Sequence, residues 1–129
     1  MIALDASVLI AHLNPADAHH AAATQLLDSS ATEQLIAHGL TLAEVLIGGV
    51  RVDRGAEMLA DLHNIGVRLA SHDDGEPLRL AGLRVNTGLK LPDCCVLDIA
   101  MRNRAALATF DDKLAEAARG LDVPVAPTA

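Results

Sequence analysis

Five apolar runs of four or five residues punctuate the chain between longer amphipathic segments: MIALD (1–5), LIAH (35–38), VRLA (67–70), ALATF (106–110) and VPVA (123–126). Runs this short are the length of strands, and their unbroken apolar character fits strands covered on both faces. Strand and helix therefore alternate, which predicts an α/β fold with a central, mostly parallel sheet of four or five strands flanked by helices. No repeat, linker or low-complexity tract interrupts the pattern, so a single domain over residues 1–129 is expected.

Helix punctuation can be read between the runs. Residues 7–13 continue the first run as a short helix. Asn14-Pro15 pairs an N-cap residue with proline at a first helical position, which predicts a helix from there through residue 29. Residues 40–49 read as a helix closed by Gly48 and Gly49, and residues 52–66 as one closed at Asn64–Gly66. Pro77 and Pro92 stand in the first turns of helices over 76–88 and 91–103. A last helix is expected over 111–120.

Composition narrows the function. Hydrophobic residues make up 51% of the chain, yet Phe110 is its only aromatic, so the core must be aliphatic. By that count an exposed aromatic platform for single-stranded nucleic acid is excluded. The two cysteines, Cys94 and Cys95, are neighbours and cannot staple distant segments, so they read as small buried hydrophobes in a reducing compartment. No charged-then-apolar leader opens the chain and no apolar run approaches 18 residues, so a cytoplasmic protein away from membranes is expected. The net charge is −7, and residues 1–50 hold five acids and no Lys or Arg. Such a chain is not a bulk electrostatic binder of nucleic acid, and phosphate chemistry on it would need metal ions.

The acids fall at element ends. Asp5 closes the first predicted strand, and Asp111 and Asp112 follow the fourth. Asp93 lies just behind Pro92, and Glu44 interrupts an apolar helix. Ligands of open parallel sheets bind outside the carboxyl ends of the strands. Carboxylates converging there suit Mg²⁺ or Mn²⁺, hard cations that take oxygen ligands. Each acid alone has a simpler use: Asp5 or Asp111 as a helix cap, Asp93 as a favourable charge in a first turn, Glu44 in an ion pair or in water. Asp98, about 140° around the helix from Asp93, is expected to meet solvent or Arg102, four residues on.

The segments DASVLI (5–10), LAEVLIGG (42–49), LPDCCVLDIA (91–100) and ATFDDKL (108–114) together resemble the PIN-domain family, and within it the VapC-type toxins of VapBC toxin–antitoxin modules. They occur in the family's order along nearly the whole chain. The resemblance implies a Mg²⁺-dependent endoribonuclease, with Mn²⁺ as a substitute ion, neutralised by a cognate antitoxin. It maps the catalytic, metal-binding quartet onto Asp5, Glu44, Asp93 and Asp111. Ser7 and Thr109 match the flanking hydroxyl positions, and Asp112 is a supporting acid. The implied partners are RNA, the antitoxin, and a second copy in a homodimer or a toxin–antitoxin hetero-oligomer. A PIN nuclease of RNA processing, or an RNA-binding module that is not a toxin, would carry the same segments.

Rival acid-bearing folds fit less well. A phospho-accepting receiver domain wants a vicinal acid pair after its first strand, where Asp5 is followed by Ala6 and Ser7. A haloacid-dehalogenase-like phosphatase wants a second aspartate at the position of Ser7. The six histidines show no metal-ligand spacing such as H-E-x-x-H, and His19–His20 reads as surface. Arg51, Arg54, Arg79, Arg84, Lys90, Arg102 and Arg104 are candidates for tracking RNA phosphates or for solvating helix faces. The apolar helices of the N-terminal half could form a groove for an antitoxin's amphipathic segment.

Overall fold

The computed structural model describes residues 1–126. Its elements in chain order are β1 (Ile2–Leu4), α1 (Ala6–Leu13), α2 (His20–Ser29), β2 (Leu35–Ala37), α3 (Gly39–Arg51) and α4 (Gly55–Asn64). There follow β3 (Val67–Leu69), α5 (Glu76–Thr87), α6 (Leu91–Asn103), β4 (Ala106–Ala108) and α7 (Asp112–Gly120). The four strands are parallel and lie in the order β3-β2-β1-β4.

Alternation along the strands divides the core into two layers. Ile2, Leu4, Leu35, Ala37 and Val67 join Val8, Leu9, Leu27, Leu42 and Leu62 from α1 to α4. Ala3, Ile36 and Leu107 join Leu97, Ile99 and Leu114 from α6 and α7. Strands β1, β2 and β4 are covered on both faces and carry no polar residue, whereas the edge strand β3 exposes Arg68 and Leu69. The chain runs from β1 to β2 to β3 in one direction, then crosses to the other side of β1 to form β4. The gap beyond the carboxyl ends of β1 and β4 is thus the switch point of the sheet, where such folds leave a crevice.

Three expected boundaries are corrected. The helix expected from Asn14-Pro15 begins at His20, because Asn14 caps the end of α1 and the next residues form side-chain-stabilised turns. Asn14 Oδ1 accepts from the Ala16 N–H at 3.1 Å and Asp17 Oδ1 from the His19 N–H at 2.8 Å, the local bonds by which Asn and Asp compete with helix. Gly48 and Gly49 do not close α3, which runs on to Arg51. A Cβ on Gly49 would overlap the Met58 sulfur, so this glycine permits the close approach of α4. Residues 123–126 form a single bridge, Leu107 to Val125, instead of a fifth strand. Cys94 and Cys95 are buried and free, as expected, and burial first, then neighbouring acids, pushes the Cys95 thiol up to about 11. Among the described residues no helix is long and apolar enough to cross a membrane.

Asp98 departs furthest from expectation. It is only 2% exposed, in the run of α6 from Cys94 to Ala100 that is buried throughout. Arg102 does reach it, Nε to Oδ2 at 3.0 Å, but Arg79 of α5 holds the other oxygen at 2.7 Å. Arg79 bonds Asp73 at 3.0 Å, and Arg102 donates to the Ser71 carbonyl at 2.9 Å. One buried carboxylate therefore ties α5, α6 and the segment after β3 together. Removing it strands two guanidiniums, so Asp98→Ala should lower stability by about 3 kcal/mol, the low end for breaking a buried pair because both arginines keep some contact with water. Urea unfolding checks this: the midpoint should fall with an unchanged m-value.

Candidate active site

Asp5 follows β1 directly, and its backbone N–H donates to the Ala108 carbonyl at 3.0 Å, extending the pairing with β4. It occupies the N-cap position of α1, but its side chain makes no capping bond. Two hydroxyls donate to its Oδ2 instead, Ser7 Oγ at 2.8 Å and Thr109 Oγ1 at 2.7 Å. Those oxygens in turn accept backbone N–H groups, Phe110 onto Ser7 at 3.0 Å and Asp111 onto Thr109 at 2.9 Å. The first turn of α1 and the end of β4 are thereby locked to one carboxylate, only 8% exposed, whose Oδ1 is left out of this network.

Asp111 is the N-cap of α7, its Oδ1 accepting from the Lys113 and Leu114 N–H groups at 2.9 and 3.2 Å. Asp112 lies in the first turn of α7 and is exposed. Asp93 is half-buried in the first turn of α6 behind Pro92, and Glu44 is exposed on α3. Burial pushes the Asp93 carboxyl above its ordinary value, and the charges of Asp5, Asp111 and Glu44 push it further, with Lys90 opposing. The four acids from four segments are thus close enough for Asp93 to feel the other three. Like charges gathered without a cation are unfavourable, and an oxygen-lined negative crevice is the donor set a hard divalent ion takes.

A second cluster went unseen in the sequence. His38, at the end of β2, and His72, after β3, both meet Glu76 at the start of α5, with Nε2···Oε1 and Nδ1···Oε2 distances of 2.6 Å. Ligand atoms of the three residues lie within 4.8 Å of one another. His38 Nδ1 accepts the Leu40 N–H at 3.0 Å, so in the neutral ring the proton sits on Nε2 and is donated to Glu76. A metal would have to displace that proton and leave an imidazolate. The cluster therefore reads as a closed hydrogen-bond network at the edge of the sheet. Burial alone would raise the Glu76 carboxyl, but the bonds from His72 and His38 bring it below its ordinary value. The four-residue spacing of His72 and Glu76 was the available signal; His38, remote in sequence, offered none.

The basic candidates divide. Arg79 and Arg102 are engaged by Asp98 and Asp73, Arg54 pairs with Glu57 at 2.9 Å, and Arg84 donates to the Gly88 and Leu89 carbonyls at the end of α5. Lys90 and Lys113, exposed and two or three residues from Asp93 and Asp111, are in no ion pair among the described residues. Of the histidine pair, His19 is exposed and stacks on Phe110, whereas His20 is half-buried with Nδ1 at 2.8 Å from the Ala11 carbonyl.

The same architecture is found in solved structures. A toxin–antitoxin complex from Klebsiella pneumoniae is similar with a TM-score of 0.71 and 24% identity over 85% of each chain. VapC20 of Mycobacterium tuberculosis, a Sarcin-Ricin loop cleaving toxin, is similar with a TM-score of 0.76 and 18% identity, covering 91% of this chain and 95% of its own. PAE2754 from Pyrobaculum aerophilum has a TM-score of 0.61 and 18% identity, with 90% and 83% covered. No curated protein matches the sequence. The family model of the PIN domain matches residues 2–120. With the α/β/α layers, the parallel sheet and the acid-lined switch point in place, the chain belongs to the PIN-domain family.

Proposed function

We propose that this PIN domain is a divalent-metal-dependent endoribonuclease that serves as the toxin of a toxin–antitoxin pair. The observation that carries the reading is the convergence of Asp5, Glu44, Asp93 and Asp111, expressed in the raised carboxyl of Asp93. The similarity to a toxin–antitoxin complex and to an RNA-cleaving toxin supports the choice of substrate and role.

Asp5 and Asp93 are the principal ligands for Mg²⁺, for which Mn²⁺ can substitute, with Glu44 and Asp111 completing the pocket. A divalent ion held there would supply Lewis acidity for displacement at phosphorus. The rest falls to the chain. Ser7 and Thr109 fix the Asp5 carboxylate through Oδ2 and leave Oδ1 outside that network. Asp111, anchored through Oδ1 to the start of α7, presents Oδ2. Glu44, exposed on α3, would complete the acid set from the helix that follows β2. Lys90 and Lys113 flank the acids and receive the phosphates on either side of the scissile bond.

The antitoxin reading rests on surface chemistry. A groove of about 440 Å³ lies between α1, α3 and α4, with Ile10, Leu13, Val45, Val52 and Met58 on its walls beside the polar Asn14, Arg54, Glu57 and Asp61. It suits the apolar face of an amphipathic segment, and an arginine carried on that segment into the crevice would compete with the metal for carboxylates. Leu78 and Val85, 81% and 83% exposed on one face of α5, suit a second copy in a homodimer or a toxin–antitoxin hetero-oligomer.

Asp5→Asn and Asp93→Asn should each lower Mg²⁺-dependent RNA cleavage by more than about a hundredfold, because loss of outer-shell partners alone costs about 10–100-fold at metal sites. Full activity in both folded variants would contradict the reading. The two roles of Asp93 also separate by stability. Its folded-state carboxyl is raised, so the metal-free protein loses stability as pH rises through that value. In chelator at neutral pH, Asp93→Asn should therefore melt higher than wild type while the inactive variant gains less from added Mg²⁺. Finally, Lys90→Ala and Lys113→Ala should each flatten the salt dependence of single-stranded RNA binding by about 0.7 in log K against log salt.

A further inference from the structure

We propose that the stacked rings of His19 and Phe110 form a nucleobase platform at the edge of the acid crevice, with the free face of His19 receiving a base of the bound strand. The inference deepens the nuclease reading and rests on it for the identity of that strand.

The two rings lie 4.4 Å apart between centroids and 12° from parallel, a close stacked pair. Phe110 is the lower ring. It packs half-buried against the aliphatic cluster beneath α1 and α2, and it directly precedes Asp111. Its N–H donates to Ser7 Oγ at 3.0 Å, and Ser7 donates on to Asp5 at 2.8 Å. The platform's base is therefore fixed to two of the crevice acids, one by a covalent neighbour and one by two hydrogen bonds.

His19 is the upper ring, with its side chain 56% exposed. One face is covered by Phe110, so the exposure belongs to the other face and the rim. The segment beneath it is pinned, the His19 N–H by Asp17 Oδ1 at 2.8 Å and the Asp17 N–H by the Asn14 carbonyl at 3.0 Å. The Asp17 carboxylate comes no closer to the ring nitrogen His19 Nδ1 than 3.8 Å. Nor is the side chain needed to cap α2, since it makes no capping bond.

A rigid, open π face beside carboxylates that would meet a phosphodiester is what a splayed base requires, and every base offers a matching face. Counting only Phe, Trp and Tyr had excluded such a platform; a histidine supplies the missing second ring. It would set how the nucleotide next to the cleaved bond is held without reading its identity.

Because the chain has no Trp or Tyr, single-stranded RNA carrying 2-aminopurine can be followed without interference from protein fluorescence. Titrations use Ca²⁺ in place of Mg²⁺ to slow cleavage. Wild-type protein should quench the reporter, and His19→Ala should weaken binding by about 5- to 150-fold, the range of one base–aromatic stack. His19→Tyr should restore both, and an abasic oligonucleotide should bind wild type and His19→Ala alike. Equal affinity of wild type and His19→Ala for the base-bearing strand overturns the platform, as does an equal loss on the abasic strand. Cleavage is followed in the same preparations with Mg²⁺. Cleavage without His19-dependent stacking overturns the platform and leaves the nuclease reading standing. Stacking through His19 without cleavage does the reverse.

Discussion

Two hydroxyl groups donating to one oxygen of Asp5 organise this protein's crevice. Ser7 comes from the first turn of α1 and Thr109 from the end of β4, and each also accepts a backbone N–H from the segment leading to Asp111. The hydroxyls orient the carboxylate without adding positive charge, so the crevice keeps its full negative potential. The parallel pairing of β1 and β4 brings the two ends together, and the covering of both sheet faces leaves the carboxyl edge as the place for polar groups to gather. The raised carboxyl of Asp93 is the consequence: an acid held among three others in a partly buried position, a stress that a cation relieves.

Much of this was legible in the sequence because the signals were local. Short apolar runs give strands, the acids that follow the first and fourth runs land at the carboxyl edge, and Pro92 places Asp93 in a first turn. The four strands, their parallel direction and the capping role of Asp111 follow from such rules. What was not legible depended on partners remote in sequence. Asp98 is buried because α5 folds over α6 and supplies Arg79, nineteen residues away, which no i,i+4 argument can find. The His38–Glu76–His72 network joins the ends of β2 and β3 to α5 by the same tertiary route. The late start of α2 is a different failure: the cap signal of Asn14 was real, but it closes α1 and opens an Asx turn instead of starting a helix.

The molecule thus divides its charged residues between two tasks. Asp98 and Glu76 are buried, bonded on both oxygens and turned to holding elements together. Asp5 and Asp111 keep an oxygen outside their own hydrogen-bond networks, and Asp93 and Glu44 stand near them. That difference in satisfaction, not burial, sets the two groups apart, since Asp5 and Glu76 are equally buried.

The central claim, that this crevice is the divalent-cation site, is tested most directly by adding Mn²⁺ to the isotopically labelled protein and mapping paramagnetic broadening of the amide signals. Signals of Asp5, Ser7, Asp93 and Asp111 should vanish first, at concentrations that leave the sheet's far edge sharp. Broadening centred on His38, His72 and Glu76, or spread evenly over the acidic surface, would contradict it.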